Sequence, residues 1–267
     1  MEDGAAVAAD GKEEERMTAG WVVANFGLED AAVLAVYLYG SRVYGTHGPA
    51  SDWDYVIVVE GGGEGQGGEE GRGGGEVEAT IQGAASDADA TVMSMTRFAQ
   101  MLDQHSAPIL ECVFLPPHMK LRERGPAALA AAAFVVSPQR VREAASFRAG
   151  HSWSKARKKL EVAADRNVRV AKKSLFHSFR ILDFALQMAT EGKISRFDAM
   201  NELWRELEAF PDDTPWETYK QRYQKRWNAL KSQLRAACPK EEWREAKKDL
   251  HAEHDNVRRQ KEELQQQ

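Results

Sequence analysis

The residues best suited to chemistry lie in one short stretch of the sequence, between positions 37 and 59. Gly40 and Ser41 follow one apolar segment, Asp52 and Asp54 begin the next, and ten residues separate Ser41 from Asp52. Side chains alternate across a strand, so carboxylates two positions apart project from the same face. A pair of carboxylates on one face suits a hard cation such as Mg²⁺.

The Gly40-Ser41 pair predicts a turn that binds phosphate. A glycine lets the backbone approach a phosphate closely, while the Ser41 hydroxyl and the exposed N–H groups at the start of a following helix are anion donors. Arg42 adds a positive charge nearby. A phosphate-binding turn close to metal-binding carboxylates is what phosphoryl transfer from a nucleoside triphosphate requires.

Apolar segments predict the strands that position these residues. The expected strands, and the two short helices after them, are Ala32–Tyr39, Asp54–Glu60, Glu76–Gln82, Asp89–Met93, Thr96–Gln104 and Pro108–Phe114. Between the second and third strands, ten of the fifteen residues from Gly61 to Gly75 are glycine. We interpret this stretch as an expanded, flexible hairpin loop within a domain.

From Ser137 onward the periodicity predicts helices only, because Ser137 and Pro138 suit the N-cap and first position of a helix. Later helices are expected at Arg169–Thr190, Ser195–Phe210 and Trp216–Ala237. The prediction is an α+β protein with a disordered tail, a small mixed β-sheet domain with flanking helices, an all-helical domain and a polar helical tail, over residues 1–13, 14–122, 138–238 and 239–267. Core packing is the expected role of five aromatic residues: Trp204, Trp216, Tyr219, Tyr223 and Trp227.

A Gly-Ser turn, a ten-residue spacer and an Asp-x-Asp pair between apolar strands resemble the signature of the polymerase β-like nucleotidyltransferase superfamily. The fuller strings GSRVYGT and SDWDY resemble one branch more closely, the minimal nucleotidyltransferases associated with RNA repair. Ser106–Pro116 (SAPILECVFLP) and Lys172–Leu186 (KKSLFHSFRILDFAL) are similar to later segments of that branch. The resemblance implies a nucleotidyltransferase domain in the β-sheet half.

The resemblance also implies a third carboxylate on a later strand. Asp89 is the expected residue, since it opens an apolar segment that leads into a helix, and Asp87 shares its parity and is the alternative. Asp52, Asp54 and Asp89 would then be the catalytic residues and would hold two Mg²⁺ ions, for which Mn²⁺ could substitute.

The triphosphate is expected on Gly40, Ser41 and Arg42. In the family, a basic residue of the helical half also reaches the triphosphate. Lys172 and Lys173 match that position, and the sequence does not choose between them.

Positive charge is concentrated in one segment of the chain. Residues 140–180 contain 12 Lys and Arg against 3 Asp and Glu, a net charge of +9, whereas residues 1–139 carry a net charge of −13. A local positive field favours polyanion binding, and a solvated helix face is the alternative interpretation. The residues expected to bind nucleic acid are Lys155, Arg157, Lys158 and Lys159.

The sequence therefore predicts Mg²⁺-dependent transfer of a nucleoside monophosphate from an NTP, expected to be ATP, to an acceptor hydroxyl, expected to be an RNA end, with release of pyrophosphate. The alternative is a non-catalytic or antitoxin-like module of the same fold that binds RNA or a partner protein. The apolar runs are far shorter than the roughly 18 residues of a membrane span, and the acidic N-terminus lacks the features of a signal peptide. We expect a soluble protein of the cytoplasm or nucleus, with no membrane partner.

Overall fold

The computed structural model describes residues 13–61, 78–85 and 87–238. The chain divides into two compact units, the first formed by residues 1–136 and 193–210 and the second by residues 137–192 and 211–267. Apart from Glu13 and Gly61, the predicted tails and the predicted Gly-rich loop lie outside the described residues.

A five-stranded mixed sheet forms the centre of the first unit, in the strand order β3-β4-β2-β1-β5. The strands β2 and β4 run parallel, and the other neighbouring strands run antiparallel. Most residues of β1 and β2 are buried, as expected for strands covered on both faces. The strand bounds are β1 Val33–Tyr39, β2 Trp53–Val59, β3 Glu78–Gln82, β4 Ala88–Ser94 and β5 Lys120–Glu123.

The prediction of an expanded hairpin after β2 is wrong. A hairpin joins neighbouring strands, but β4 lies between β2 and β3, so the Gly-rich segment joins strands two positions apart. Burial explains the order, because Ala88, Ala90 and Met93 of β4 are almost fully buried, whereas Ala79 and Thr80 of β3 are exposed and suit an edge.

Local signals define several helix starts. The Ser137 hydroxyl accepts a hydrogen bond from the Arg140 N–H at 3.5 Å, so the predicted N-cap at Ser137 is confirmed. The Ser94 hydroxyl accepts one from the Arg97 N–H at 3.1 Å and caps the helix that begins at Met95. The helices are α1 Ala19–Asn25, α2 Ser41–Tyr44, α3 Met95–Asp103, α4 Ala107–Val113, α5 Gly125–Ala133, α6 Pro138–Glu161, α7 Val168–Glu191, α8 Asn201–Glu208 and α9 Trp216–Ala237.

The second unit is built from the helices α6, α7 and α9, which pack against one another. Its core is aromatic: the side chains of Phe179, Tyr219 and Tyr223 are at most 1% exposed, and the rings of Trp153 and Trp227 stack with centroids 4.6 Å apart. The predicted core role of the α9 aromatic residues is thereby confirmed.

The two units depart from the predicted domain boundaries at one segment. Residues 193–210, which we expected in the helical domain, belong to the first unit. Leu203 and Leu207 of α8 are fully buried. The α+β prediction is confirmed for the described residues, and none of their helices is both long and apolar enough to cross a membrane.

Candidate active site

The Gly40 turn lies directly against one of the predicted carboxylates. The antiparallel register of β1 and β2 pairs Tyr39 with Asp54, so the residue after β1 reaches the Asp54 side chain. Gly40 has φ 78° and ψ −151°, a conformation open almost only to glycine. A Cβ at Gly40 would lie 2.2 Å from Asp54 Oδ2, so only a residue without a side chain fits here.

A second carboxylate joins Asp54 through the sheet. The parallel register of β2 and β4 pairs Asp54 with Asp89, and residues paired across neighbouring strands project from the same face. Asp52 lies one position before β2 and is exposed, with the same parity as Asp54. The predicted residues Gly40, Asp52, Asp54 and Asp89 are therefore brought to one end of the two central strands.

The donor set fits a hard cation. Carboxylate oxygens are the ligands that Mg²⁺ prefers, and the register of β2 and β4 pairs two carboxylates, those of Asp54 and Asp89. Among the described residues, no group of three or more His, Cys, Asp or Glu side chains is already arranged to hold a metal ion. The backbone register therefore places the carboxylates near one another, but their side chains are not arranged as a complete set of metal ligands.

The alternative third carboxylate, Asp87, is engaged elsewhere. The Arg16 guanidinium donates two hydrogen bonds to it, at 2.6 Å to Oδ2 and 3.0 Å to Oδ1. A bidentate pair of this kind is among the stronger side-chain contacts. The Asp87 carbonyl also accepts a hydrogen bond from the Trp53 N–H at 2.8 Å. Asp87 therefore serves to fix the segment before β4, and the role of Asp89 as the third carboxylate stays a prediction.

Arg42 connects the two halves of the motif. Its guanidinium donates a hydrogen bond to the Ser51 carbonyl at 3.1 Å and lies 3.8 Å from the centre of the Trp53 ring. It also forms an ion pair with Glu13 at 3.3 Å. Because Ser51 and Trp53 flank Asp52, these contacts fix the backbone on both sides of that residue. The predicted role of Arg42 in nucleotide binding stays a prediction.

A buried polar pair anchors the short helix α2. The Tyr44 hydroxyl donates a hydrogen bond to Glu111 Oε2, and both residues are at most 3% exposed. Glu111 belongs to the Ser106–Pro116 segment that the sequence had singled out, but its role was not predicted. Burial of a carboxyl requires a partner, so this contact ties the position of α2 to α4.

The comparison with protein families is decisive for this region. Residues 24–92 match the family model of the nucleotidyltransferase domain, and this range includes Gly40, Ser41, Asp52, Asp54 and Asp89. The chain contains a nucleotidyltransferase domain. The predicted resemblance to the polymerase β-like superfamily is thus confirmed for residues 24–92, while the closer resemblance to the RNA-repair branch stays a prediction.

Further comparisons add little to the nucleotidyltransferase assignment. The nucleotidyltransferase-like protein from Exiguobacterium sibiricum 255-15 is a similar solved structure, with 10% sequence identity, coverage of 78% of this chain and 70% of that chain, and a TM-score of 0.29. A TM-score this low does not establish a shared fold. No curated protein sequence matches the chain.

The two lysines predicted to reach the triphosphate differ in their surroundings within the second unit. The Lys172 side chain is buried and donates to Asp212 Oδ1 at 3.1 Å, whereas Lys173 is exposed. A buried lysine already paired with a carboxylate is poorly available to a phosphate. Lys173 is therefore the better candidate of the two.

The predicted nucleic-acid residues are largely paired with carboxylates. Arg157 binds Glu161 at 2.6 Å, Lys158 lies 3.5 Å from Asp165, and Lys159 donates to the same Asp165. The Lys159 hydrogen bond holds the pKa of Asp165 below its usual value. Only Lys155 of the four has no carboxylate partner among the described residues. The high local charge of this segment is therefore partly neutralised.

One cavity in the first unit was not predicted. It is lined by Gly45, at the end of α2, and by residues of the segment 196–205, including Asn201 and Trp204. Trp204 is a weak sequence signal for this cavity, because this aromatic residue is expected in the core and is half-buried at the cavity.

Proposed function

We propose that the nucleotidyltransferase domain transfers a nucleoside monophosphate from ATP to an acceptor hydroxyl at an RNA end. The acceptor oxygen forms a bond to the α-phosphorus, the bond from that phosphorus to the bridging oxygen breaks, and pyrophosphate leaves with the electron pair. The observation that carries the proposal is the placement of the Gly40 turn against the Asp54 carboxylate, with Asp89 in register beside it.

Each residue of the motif has a defined task in this proposal. The Gly40-Ser41 turn binds the triphosphate through the Ser41 hydroxyl and backbone N–H groups. Asp89 lies on the side of the acceptor and favours its deprotonated hydroxyl. Arg42 holds the backbone around Asp52 through Ser51, so that the carboxylates keep their spacing during the reaction.

The carboxylates of Asp52, Asp54 and Asp89 would hold Mg²⁺. Two such ions supply charge neutralisation at the attacking and leaving oxygens of an in-line displacement. The oxygen donor set and the register that pairs Asp54 with Asp89 support this assignment.

The acceptor is proposed from charge. The segment 140–180 carries a net charge of +9, and RNA is the polyanion that such a field would attract at an enzyme of this chemistry. Lys155, which is exposed and has no carboxylate partner among the described residues, supports this part of the proposal.

The test is incubation of the purified full-length protein with each labelled NTP, Mg²⁺ and short RNAs that carry free or blocked 3′ hydroxyls. We expect a product heavier by one nucleoside monophosphate on the RNA with a free hydroxyl, together with pyrophosphate. Labelled protein without labelled RNA would identify a protein acceptor instead. Absence of any transfer with every NTP would contradict the enzymatic proposal.

One observation favours the second candidate, a non-catalytic module that binds RNA or a partner protein. The described carboxylates do not form a finished group of three. Such a module would bind RNA with the same affinity whether Asp54 is present or replaced by Asn, and would release no pyrophosphate. The incubation above separates the two candidates.

A further inference from the structure

The cavity beside α2 has a volume of about 420 Å³, within the range of small-molecule sites. Its charged lining residues are balanced, because Arg196 and Arg205 are matched by Asp198 and Glu202. Balanced charge does not select for phosphate. The remaining lining offers an indole ring and a carboxamide, which are groups that recognise a neutral, flat, hydrogen-bonding ligand.

The carboxamide of Asn201 has an unsatisfied end. Its Oδ1 atom is buried and has no hydrogen-bond partner among the described residues. Its Nδ2 atom would lie 3.1 Å from a Cβ added at Gly45, so the amide packs against a glycine that has φ 70°. A buried acceptor without a partner is costly, and a ligand that brings an N–H donor would relieve that cost.

The indole of Trp204 supplies a flat surface in the same cavity. Trp204 is half-buried and follows Asn201 by three positions, so both residues lie on one face of α8. Nucleobases stack on such rings. A carboxamide offers an acceptor and a donor side by side, which matches the N6 amino group and neighbouring ring nitrogen of adenine.

The cavity is also close to the proposed triphosphate site. Gly45 ends the helix that Ser41 begins, and four residues of helix correspond to about 6 Å. Phosphates bound at the start of α2 would leave the base of the same nucleotide within reach of the end of α2.

We propose that this cavity binds the base of the donor nucleotide and that Asn201 and Trp204 select adenine. The inference rests on the proposed function, since it takes the nucleoside triphosphate as the substrate. Asn201 reads the edge of the base, and Trp204 stacks on its face.

The test is equilibrium binding of labelled ATP and UTP, with Mg²⁺, to the full chain. Wild type should bind ATP more tightly than UTP. Asn201→Ala should weaken ATP binding about tenfold or more and leave UTP binding little changed, which removes the preference. Trp204→Ala should weaken both by about tenfold, and Trp204→Phe should retain most of the affinity because it keeps an aromatic ring.

The matched control is Asn228→Ala, the same change at an exposed position of α9. It should bind both nucleotides as wild type does. Melting temperatures of all variants verify folding, and Trp204→Phe keeps the test valid if Trp204→Ala does not fold. Equal binding of ATP and UTP by wild type, or an unchanged ATP preference in Asn201→Ala, overturns the assignment.

The transfer assay, run in parallel, separates this inference from the proposed function. If wild type transfers nucleotides but Asn201→Ala keeps the preference for ATP, the base site is wrong and the enzymatic proposal stands. If wild type prefers ATP and Asn201→Ala loses that preference, yet no transfer occurs, the base site stands and the enzymatic proposal fails. A wild type that binds neither nucleotide overturns the base site.

Discussion

The two units of the chain handle charge in opposite ways. In the first unit, the register of β2 and β4 places two carboxylates, Asp54 and Asp89, side by side. In the second unit, basic residues of α6 are paired with carboxylates, and three of the four residues predicted to contact RNA have such a partner. Concentrated like charge needs a bound counter-ion or ligand to be stable, whereas paired charge does not.

This difference shows which kind of sequence signal predicts a site. A motif that specifies strand register, such as Gly40-Ser41 with Asp52-x-Asp54, fixes positions in space, because pairing partners follow from the register. A net charge of +9 over a segment predicts only the average electrostatic field around it. It does not show which basic side chains are paired with a carboxylate, as Lys159 is with Asp165.

The largest effect is expected from the concentrated charge. Asp54→Asn should lower transfer by about a thousandfold or more, because a metal-binding charge contributes several kcal/mol to the transition state. Folding should survive, since the amide is nearly the same size. Asp213→Asn, the same change at an exposed position of the second unit, is the control and should retain full activity. Comparable activity in the two variants would remove the basis for the metal assignment.

The same assay distinguishes Asp89 from Asp87. Asp89→Asn should inactivate the protein with little change in melting temperature. Asp87→Asn should weaken the contact with Arg16 and thus lower the melting temperature, while leaving measurable transfer. The reverse pattern would make Asp87 the third carboxylate.

A smaller effect is expected at the Gly40 turn. Gly40→Ala should destabilise the protein by about 1–3 kcal/mol and reduce transfer more than tenfold, because the added Cβ would lie 2.2 Å from Asp54 Oδ2. Gly192→Ala is the matched control in the second unit: its φ is 73°, and a Cβ there would meet nothing within 4 Å. Gly192→Ala should lower the stability of the protein and leave its transfer activity unchanged. Thermal melting and initial rates measure both, and equal activity of the two variants would contradict the close approach.

The stability of the second unit is expected to depend on pH through His177 of α7. Burial lowers the pKa of His177 to about 3, and Arg180, Lys173 and Lys155 lower it further through their charges. The unfolded chain therefore binds a proton at pH values where the folded chain does not, and stability falls as the pH drops below about 6.5. Between pH 7 and pH 5, the free energy of unfolding should fall less in His177→Gln than in wild type, by up to about 2 kcal/mol.

Denaturant unfolding at the two pH values measures this difference. The control is His151→Gln, because His151 lies on α6 but is exposed. It should show the same pH dependence as wild type. A His177→Gln variant with wild-type pH dependence would show that His177 is solvated in solution.

A modest effect is expected where the basic segment has no acidic partner. If RNA runs along α6, Lys155→Gln should reduce the slope of log affinity against log salt by about 0.7, the value for one phosphate contact with a single strand. Arg157→Gln is the matched control and should change the slope less, because Arg157 is bound to Glu161 at 2.6 Å. Filter binding at several salt concentrations measures both slopes. An unchanged slope in Lys155→Gln would exclude this face of α6 as an RNA contact.

Much of the first unit could be predicted because its strands carry strong local signals. The predicted bounds of β1, β2 and β4 lie within one residue of the observed bounds, since each strand is apolar and bounded by glycine or polar residues. The strand β5 was missed because its four residues, KLRE, are mostly charged and only half-buried. It forms through pairing with β1, a long-range contact that no local pattern reports.

The parts of the site that were missed also depend on long-range contacts. Nothing near Arg16 in sequence indicates that it binds Asp87, 71 positions away. The segment 193–210 follows a long helix, so continuity predicted it to stay with the helical domain. Its burial in the first unit, and hence the cavity at Asn201, depends on packing against residues that are distant in sequence, such as Gly45.

The smallest effect is expected from the segment between β2 and β3. If register alone positions the carboxylates, replacing residues 62–77 by six Gly and Ser residues should leave transfer unchanged and raise stability by less than about 1 kcal/mol, through a smaller loop-closure entropy.

A shorter replacement tests the strand order. The end of β2 and the start of β3 lie about 10 Å apart, because β4 separates the two strands. A connection of two residues spans that distance only when it is fully extended, and it is then too short to clear α3, which follows β4 at Met95. Replacing the same residues by two glycines should therefore detach β3 and lower the melting temperature. Equal melting temperatures of the short and long replacements would contradict the strand order, and loss of transfer in the six-residue variant alone would give this segment a role in catalysis.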